Sequence, residues 1–279
     1  MTQDGQAIDD PDDDWDEDEP WPNDQSEGTG SEGTALDELL DATVAITDPR
    51  AGALLRNGAI EVHGRMPWSS NGTYLCSVDD GRGRIQAIYK PEAGERPLWD
   101  FPRGLWKREV AMFELGDALG WPVVPPTVIR RDGPMGIGSL QGYAPSRYEE
   151  HYFTFRDRTD LLRGLEQICV LDLIANNTDR KGGHVLLGFD GRPWAIDNGL
   201  AFHVEFKLRT VLWDFAGTPI AAEMAEAVGA LVERGLPSCF DELLDEDERE
   251  AVRQRANSVL AAGVFPSDPS GRRYPWPLV

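Results

Sequence analysis

Two aspartates stand at the two ends of a predicted β-hairpin in the second half of the chain. Asp179 lies in the polar loop before the hairpin, and Asp197 follows the hairpin directly, 18 positions later. The stretch consists of an apolar segment at residues 168–175, a polar loop at 176–184, and short strands at 185–189 and 194–196 joined by Asp190-Gly191. Because the strands of a hairpin run antiparallel, its start and its end lie side by side. The pattern therefore predicts that both carboxylates face one mouth.

Each aspartate alone has a purely structural explanation. Asp beside Asn or Gly in a loop is typical of turns, where its side chain bonds to the nearby backbone. The pair favours a different interpretation, because a buried hairpin has no structural need for Asn-Thr-Asp-Arg at one end and Asp-Asn-Gly at the other. Phosphoryl transfer needs two acids, one to orient or deprotonate the attacking hydroxyl and one to hold magnesium on the nucleotide phosphates.

The composition is typical of a soluble protein with a sizeable core. The chain has 279 residues, of which 41% are hydrophobic, enough for one two-lobed domain or two small domains. No run approaches the roughly 18 apolar residues of a membrane span, and the N-terminus lacks the pattern of a signal peptide. We expect a cytoplasmic location and no integral membrane association. The widely spaced Cys76, Cys169 and Cys239 have apolar neighbours, which predicts buried thiols rather than disulfides or a metal site.

The N-terminal residues carry much of the negative charge. The formal net charge is −22, and residues 1–34 hold 13 Asp or Glu and no Lys or Arg, which leaves about −9 for the remainder. An acidic surface repels nucleic acid and anionic lipid headgroups, because both are bound mainly through Lys and Arg. Residues 1–34, with Trp15 and Trp21 as their only aromatic residues, are predicted to be a disordered arm. The arm is either a solubilising tail or a segment that binds a basic partner or covers the protein's own cleft.

The first half of the chain predicts a small antiparallel sheet. Strands are expected at residues 60–64, 74–78 and 85–90, with turn-forming segments between them. The turn between the first two strands is short enough to fold over phosphates, and it offers hydroxyl and backbone N–H donors, although plain hairpins carry similar turns. Its candidate phosphate-binding residues are Ser69, Ser70, Asn71, Gly72 and Thr73.

A lysine and a glutamate follow at the end of this sheet. Lys90 ends the third strand, and a helix predicted at residues 106–119 contains Glu109. A lysine at a strand end is commonly solvated, and a helical glutamate is commonly a surface charge. The alternative is an ion pair in which Glu109 holds Lys90 toward phosphates.

The remaining elements complete an α+β, two-lobed pattern. Two more strands are predicted at residues 123–130 and 135–143, followed by helices at 158–175, 224–234, 240–244 and 246–262. This order predicts a β-rich N-lobe at residues 35–145 and an α-rich C-lobe at residues 146–279. In a two-lobed kinase the junction between lobes pairs with adenine, which makes Gln141 and Tyr143 candidate nucleotide contacts.

Several motifs, in this order on the predicted elements, resemble the catalytic core of the phosphatidylinositol 3/4-kinase superfamily, and most closely the type II phosphatidylinositol 4-kinases. The likeness covers roughly residues 59–215. The motifs are Ser-Ser-Asn-Gly-Thr-Tyr at 69–74, Ala-Ile-Tyr-Lys-Pro at 87–91, Arg-Glu-Val-Ala at 108–111, Val-Val-Pro at 123–125, Thr-Asp-Arg at 178–180 and Ala-Ile-Asp-Asn-Gly-Leu-Ala-Phe at 195–202.

The resemblance implies a protein-kinase-like fold and roles for particular residues. Lys90 would contact the phosphates of ATP, the turn at 69–73 would cover them, and Asp197 would hold Mg²⁺ or Mn²⁺. Asp179 would be the catalytic-loop aspartate, and Arg180 or Lys181 would stabilise charge on the transferring phosphoryl group.

The chain departs from the superfamily pattern in two places. The position five residues after the catalytic aspartate usually carries Asn and here is His184, whose imidazole suits manganese better than magnesium. The eukaryotic lipid kinases have a cysteine-rich palmitoylated stretch where residues 92–103 contain no Cys. The apolar residues of this region are expected either to pack in the core or to form a membrane or partner surface; they are Trp99, Phe101, Leu105 and Trp106.

The sequence therefore predicts an ATP- and divalent-metal-dependent kinase. Its acceptor would be a hydroxyl of a phosphoinositide or of a protein Ser or Thr. The alternative is a nucleotide-binding pseudokinase that acts as a scaffold or regulator, which the substitution at His184 favours.

Overall fold

The structure is a computed structural model that describes residues 43–67 and 69–279. The predicted arm at residues 1–34 and the start of the predicted N-lobe, residues 35–42, lie outside the described residues.

The N-terminal lobe is built on a five-stranded antiparallel sheet. A short helix precedes it, α1 (Ala51–Asn57), and the first three strands are β1 (Ala59–Arg65), β2 (Tyr74–Asp79) and β3 (Arg84–Pro91). The turn between β2 and β3 is stabilised by Asp80, whose carboxylate accepts the backbone N–H groups of Arg82 and Gly83. Gly81 adopts a φ of 78° in this turn, which favours glycine.

A long helix and two further strands complete the lobe. These are α2 (Leu105–Ala118), β4 (Thr127–Gly133) and β5 (Gly136–Gly142), and the strand order is β1-β2-β3-β5-β4. One face of β3 buries Ile85, Ala87 and Tyr89 against α1. Because side chains alternate along a strand, Lys90 points to the opposite face.

The C-terminal lobe is mainly helical and carries a small three-stranded sheet. The sheet has the order β6-β7-β8, formed by β6 (Ser146–His151), β7 (Val185–Gly188) and β8 (Pro193–Ala195). The helices are α3 (Tyr152–Phe155), α4 (Leu162–Ala175), α5 (Ala222–Arg234), α6 (Phe240–Leu243) and α7 (Glu246–Ala262). Helix α4 is central to this lobe, because it is buried at nearly every position from Leu165 onward and packs against α2 and α7.

The predicted α+β class is confirmed, with a sheet-rich lobe followed by a helical lobe. Most predicted strands and helices agree with the observed elements to within two residues. The strand predicted at 123–130 begins only at Thr127, because Pro125 and Pro126 lack the N–H groups that a ladder requires. The helix predicted at 158–175 begins at Leu162, after hydrogen-bonded turns.

Two short α-helices and one strand were not predicted, nor were three single-turn 3-10 helices, Glu92–Gly94, Gly182–His184 and Trp213–Phe215. Helices α1 and α3 have seven and four residues, too few to show a helical period. Strand β6 pairs irregularly with β7 and has no regular alternation. No helix in residues 43–67 and 69–279 combines the length and the apolar character needed to cross a bilayer.

Candidate active site

Lys90 contacts two carboxylates at the end of β3. Its Nζ donates to Glu109 Oε1 from α2 and lies 2.9 Å from Asp197 Oδ1 beyond β8. Burial lowers the pKa of Lys90, but the two carboxylates outweigh this effect and raise the pKa above its usual range. The lysine is therefore a fixed positive charge.

Glu109 connects this lysine to the segment after β8. Its second oxygen, Oε2, accepts the backbone N–H of Asn198 at 2.9 Å. The glutamate is buried, with 3% of its surface exposed, so both oxygens depend on these partners. Glu109 is therefore not a surface charge, and the alternative of an ion pair with Lys90 describes its contacts.

Asp197 has an uncommon backbone conformation. Its φ is 54°, in the left-handed region that few non-glycine residues adopt. The Lys90 ammonium holds the pKa of the Asp197 carboxyl well below its usual range, against the opposing effect of burial. Asp197 is thus an ionised carboxylate on a strained turn, an arrangement that is found most often at functional sites.

His184 stands between the two aspartates. Its Nδ1 lies 2.9 Å from the backbone carbonyl oxygen of Asp179, and its Nε2 lies 3.4 Å from Asp197 Oδ2. Burial lowers the pKa of His184 below its usual value, which favours the neutral ring. The Lys181 N–H also lies 3.4 Å from Nδ1, and the Asp197 carboxylate facing Nε2 can only accept. We assign the proton to Nδ1 and a lone pair to Nε2 because the contact of Nδ1 with the carbonyl oxygen is the shortest of the three. This tautomer is the one that a metal-binding histidine uses.

Asp179 lies in the loop after α4, as the sequence predicted. The loop is shaped by Asn177, whose side-chain oxygen accepts the Asp179 backbone N–H at 3.0 Å. Burial raises the pKa of Asp179, and Lys181, 3.3 Å from its carboxylate, partly offsets the increase. A carboxylate with a raised pKa is a better proton acceptor than a solvated one.

Arg180, the next residue, is buried and forms no ion pair with Asp179 or Asp197. Its side chain has no exposed surface, and its guanidinium donates two hydrogen bonds of 2.8 Å to Asp172. It also donates to Asn198 Oδ1 at 2.6 Å and to the Ile196 carbonyl oxygen at 2.7 Å. The guanidinium is thus hydrogen-bonded within the protein and contacts the segment around Asp197, and Arg180 does not line the cleft that its predicted contact with a phosphoryl group requires. The signal that was missed is Asp172, a single acid inside the apolar run 168–175.

The turn at residues 69–73 is held by its own side chains and by the loop after β3. Ser69 Oγ donates to Thr73 Oγ1 at 2.7 Å, and the Gly72 N–H donates to the Gly94 carbonyl oxygen at 2.7 Å. A Cβ on Gly94 would lie 2.8 Å from the Gly72 Cα. The two backbones can approach this closely only because both residues are glycine.

A cleft of about 480 Å³ unites most of the predicted site. It is lined by Lys90, Glu109, Asp179, Lys181, His184, Asp197 and all five residues of the turn at 69–73. The sequence interpretation assigned no place in the site to eight other lining residues, namely Pro91, Glu95, Arg96, Leu98, Leu105, Trp106, Gly199 and Leu200.

Gln141 and Tyr143 do not line this cleft. Gln141 is buried and its amide nitrogen donates to Thr127 Oγ1 at 2.8 Å. Tyr143 lines a separate cavity of about 180 Å³. Neither side chain faces the cleft, and the predicted pairing of the backbone at this junction with adenine stays a prediction.

The apolar residues near α2 are divided between core and surface. Phe101, Leu105 and Trp106 are buried, whereas Trp99 is 93% exposed. Core packing therefore describes three of the four. The thiols of Cys76 and Cys169 are buried, that of Cys239 is half-buried, and none forms a disulfide.

The donor atoms near Asp197 fit a nucleotide-bound divalent cation. The Asp197 carboxylate and the His184 Nε2 offer two ligands, and magnesium at such sites takes its other ligands from phosphates and water. No group of three or more His, Cys, Asp or Glu side chains suited to an ion occurs in the part of the chain that the structure describes. A cation here would depend on the phosphates.

Comparison with known proteins places the chain in a family. No protein-family model matches it. Protein Rv2133c of Mycobacterium tuberculosis (strain ATCC 25618 / H37Rv) is 38% identical over 264 residues, which cover 81% of this chain and 94% of that protein. The chain belongs to the Rv2133c family. The α+β architecture described above is therefore that of a member of this family.

A plant protein matches part of the sequence, and a bacterial protein structure superposes loosely. Phosphatidylinositol 4-kinase gamma 4 of Oryza sativa subsp. japonica is 26% identical over 199 residues, 58% of this chain and 35% of that protein. The chain thus spans about a third of the plant protein. A Helicobacter pylori proinflammatory kinase, CtkA, superposes with a TM-score of 0.44 at 11% identity, covering 76% of this chain and 94% of that one.

The structure of hydra Fam20 with sugar superposes more closely. Its TM-score is 0.52 at 12% identity, over 82% of this chain and 93% of that one. At this identity the likeness concerns the fold alone. This Rv2133c-family member therefore shares its overall fold with hydra Fam20.

Proposed function

We propose that this chain is an ATP- and divalent-metal-dependent phosphotransferase that acts on a hydroxyl group. The observation that carries the proposal is the Glu109 carboxylate, which joins Lys90 to the backbone N–H of Asn198. Through these two contacts Glu109 aligns the lysine of β3 with the segment that carries Asp197. Kinases require this alignment of lysine, glutamate and metal-binding aspartate before transfer.

The cleft residues have distinct roles in the proposed step. Asp179 accepts the proton of the acceptor hydroxyl while the hydroxyl oxygen forms a bond to the terminal phosphorus of ATP. The bond from that phosphorus to the β–γ bridging oxygen breaks, and ADP is the leaving group. Lys90 neutralises phosphate oxygens, and the turn at 69–73 covers them with backbone N–H donors.

Asp197 and His184 would hold the divalent cation on the nucleotide. The cation would supply charge neutralisation of the phosphate oxygens when bound. The contact of His184 Nδ1 with the Asp179 carbonyl oxygen, at 2.9 Å, fixes the ring with Nε2 toward Asp197. The buried Arg180 holds the carbonyl of Ile196 and so keeps the backbone before Asp197 in place.

The acceptor in this proposal is a phosphoinositide or a protein Ser or Thr. The partial match to a plant phosphatidylinositol 4-kinase supports the lipid. The substitution of His184 for the usual Asn supports a second candidate function, a nucleotide-binding pseudokinase that acts as a scaffold or regulator.

Two measurements test these candidates. Calorimetric titration of the full chain with ATP and Mg²⁺ or Mn²⁺ should show binding that Lys90→Ala abolishes. Labelled ATP should then transfer phosphate to casein or to phosphatidylinositol vesicles, and Asp179→Asn should stop transfer while ATP still binds. Binding without transfer to any acceptor, or to water, favours the pseudokinase. Absence of ATP binding at millimolar concentration contradicts both functions.

A further inference from the structure

Arg96 lines the cleft but has no role in the proposed reaction. It lies in the loop between β3 and α2, lines the cleft together with Asp179 and Asp197, and has an exposed side chain. None of the sequence motifs discussed above includes it. Its position depends on how the loop folds back onto the turn at residues 69–73.

The loop that carries Arg96 is attached to the turn at 69–73 by backbone and side-chain contacts. The Gly72 N–H donates to the Gly94 carbonyl oxygen at 2.7 Å. The Arg96 N–H donates to the Asn71 side-chain oxygen at 2.9 Å. Glu95, between them, accepts the N–H groups of Gly104 and Trp106 at 2.9 and 2.8 Å, which ties the loop to the start of α2. Hydrogen bonds at Gly94, Glu95 and Arg96 therefore hold this part of the loop in place.

The charge distribution in the cleft makes Arg96 unusual. Lys90 is paired with Glu109 and Asp197, and Lys181 is paired with Asp179. Arg96 is the only Lys or Arg lining the cleft that has no ion pair among residues 43–67 and 69–279. A nucleoside triphosphate would bring several negative charges into a cleft in which Lys90 and Lys181 already have carboxylate partners. An arginine without a carboxylate partner is suited to binding a phosphate, because its planar fork of donors matches phosphate oxygens.

We propose that Arg96 binds the terminal phosphate of the nucleotide, the group that is transferred. The inference rests on the proposed phosphotransferase function. Lys90 serves the α- and β-phosphates in kinases, which leaves the terminal phosphate for a second cation. In this proposal the turn at 69–73 covers the phosphates, and its hydrogen bonds to the loop place Arg96 on the same side of the cleft. During transfer, Arg96 stabilises the charge on the oxygens of the moving phosphoryl group.

The loop offers a matched control for this assignment. Arg103 is also an exposed arginine in the segment between β3 and α2. It lines a small cavity of about 50 Å³ together with Arg96, but unlike Arg96 it does not line the cleft. A change at Arg103 alters the net charge by the same amount as a change at Arg96. Comparison of the two variants therefore separates a specific contact from a general charge effect.

The test is calorimetric titration of the full chain with Mg-ATP and with Mg-ADP. Arg96→Ala should weaken ATP binding about tenfold or more, the factor expected for loss of a charge-assisted hydrogen bond, and leave ADP binding within about twofold. Arg96→Lys should lie between it and the wild type, and Arg103→Ala should bind both nucleotides like the wild type. Because the Arg96 side chain is exposed, its variants should keep the wild-type melting temperature.

Three outcomes would overturn the assignment. If Arg96→Ala binds ATP like the wild type, Arg96 does not contact the nucleotide, although the phosphotransferase proposal stands. If ATP and ADP binding weaken equally, the contact is not to the terminal phosphate. If Arg103→Ala weakens ATP binding as much as Arg96→Ala, the effect is one of general charge. Absence of ATP binding by the wild type would instead contradict the proposed function itself.

Discussion

Arg108 forms a buried ion pair with Glu248, which links helix α2 to helix α7 one position before Glu109. Their side chains are only 3% and 9% exposed. Glu248 also completes the N-terminal capping box of α7 by accepting the Asp245 N–H at 3.0 Å. The pair thereby joins the helix that supplies Glu109 to the helical lobe.

The first prediction concerns this ion pair. Glu248→Ala leaves the Arg108 guanidinium buried without its carboxylate, and it should lower the free energy of unfolding by about 3–5 kcal/mol. Urea denaturation measures the loss. The matched control is Glu250→Ala on the same helix, whose pair with Arg253 is exposed at both ends and should cost at most about 1 kcal/mol. Equal losses for the two variants would show that the buried pair does not stabilise the lobes.

The second prediction concerns the metal preference. If His184 Nε2 is a ligand, His184→Asn replaces a nitrogen by an oxygen and should shift the ratio of activity with Mn²⁺ to activity with Mg²⁺ toward Mg²⁺. ATP turnover in each metal measures the ratio. Asp197→Asn is the companion variant and should abolish turnover in both metals. An unchanged ratio in His184→Asn would place His184 outside the metal site.

The third prediction concerns the thiols. Burial, assisted by Glu114, raises the pKa of Cys239 to about 11, and burial raises that of Cys76 to about 11. Since the thiolate is the reactive form, native protein should react with iodoacetamide at pH 8 on the order of a hundredfold more slowly than free cysteine. The rate should increase with pH up to at least 9.5 without reaching a plateau. A plateau near pH 8.5 would mean that a thiol has its ordinary pKa, and urea-unfolded protein supplies the rapid reference rate.

The fourth prediction concerns residues 1–34 and rests on composition alone. Their charge and lack of apolar periodicity indicate that they contribute no core contacts, so deleting them should leave the melting temperature nearly unchanged. Differential scanning calorimetry of the full and shortened chains compares the two. A decrease of many degrees would reveal a docked arm, with Trp15 and Trp21 as the first residues to substitute.

The predictions that agreed with the structure depend on short-range patterns. A hairpin with an acid at each end brings Asp179 and Asp197 together, because the geometry of a two-stranded turn decides where its ends meet. Lys90 and Glu109 were identified from the end of a strand and from a position on the next helix. The hairpin, the strand end and the helix position each depend on residues that are close in sequence, where hydrophobic periodicity and turn-forming residues can be recognised.

Long-range packing decided the rest. Arg180 is adjacent to Asp179 in sequence, yet its side chain lies away from the cleft because Asp172 and Asn198 offer it a fully hydrogen-bonded buried site. Arg96 belongs to no motif, and it reaches the cleft because two glycines, 22 positions apart, allow their backbones to touch. Gln141 is turned inward by a partner on another strand. Local sequence determines which element a residue joins, whereas the partners available across the fold determine whether its side chain faces the cleft, since a buried polar group must be paired.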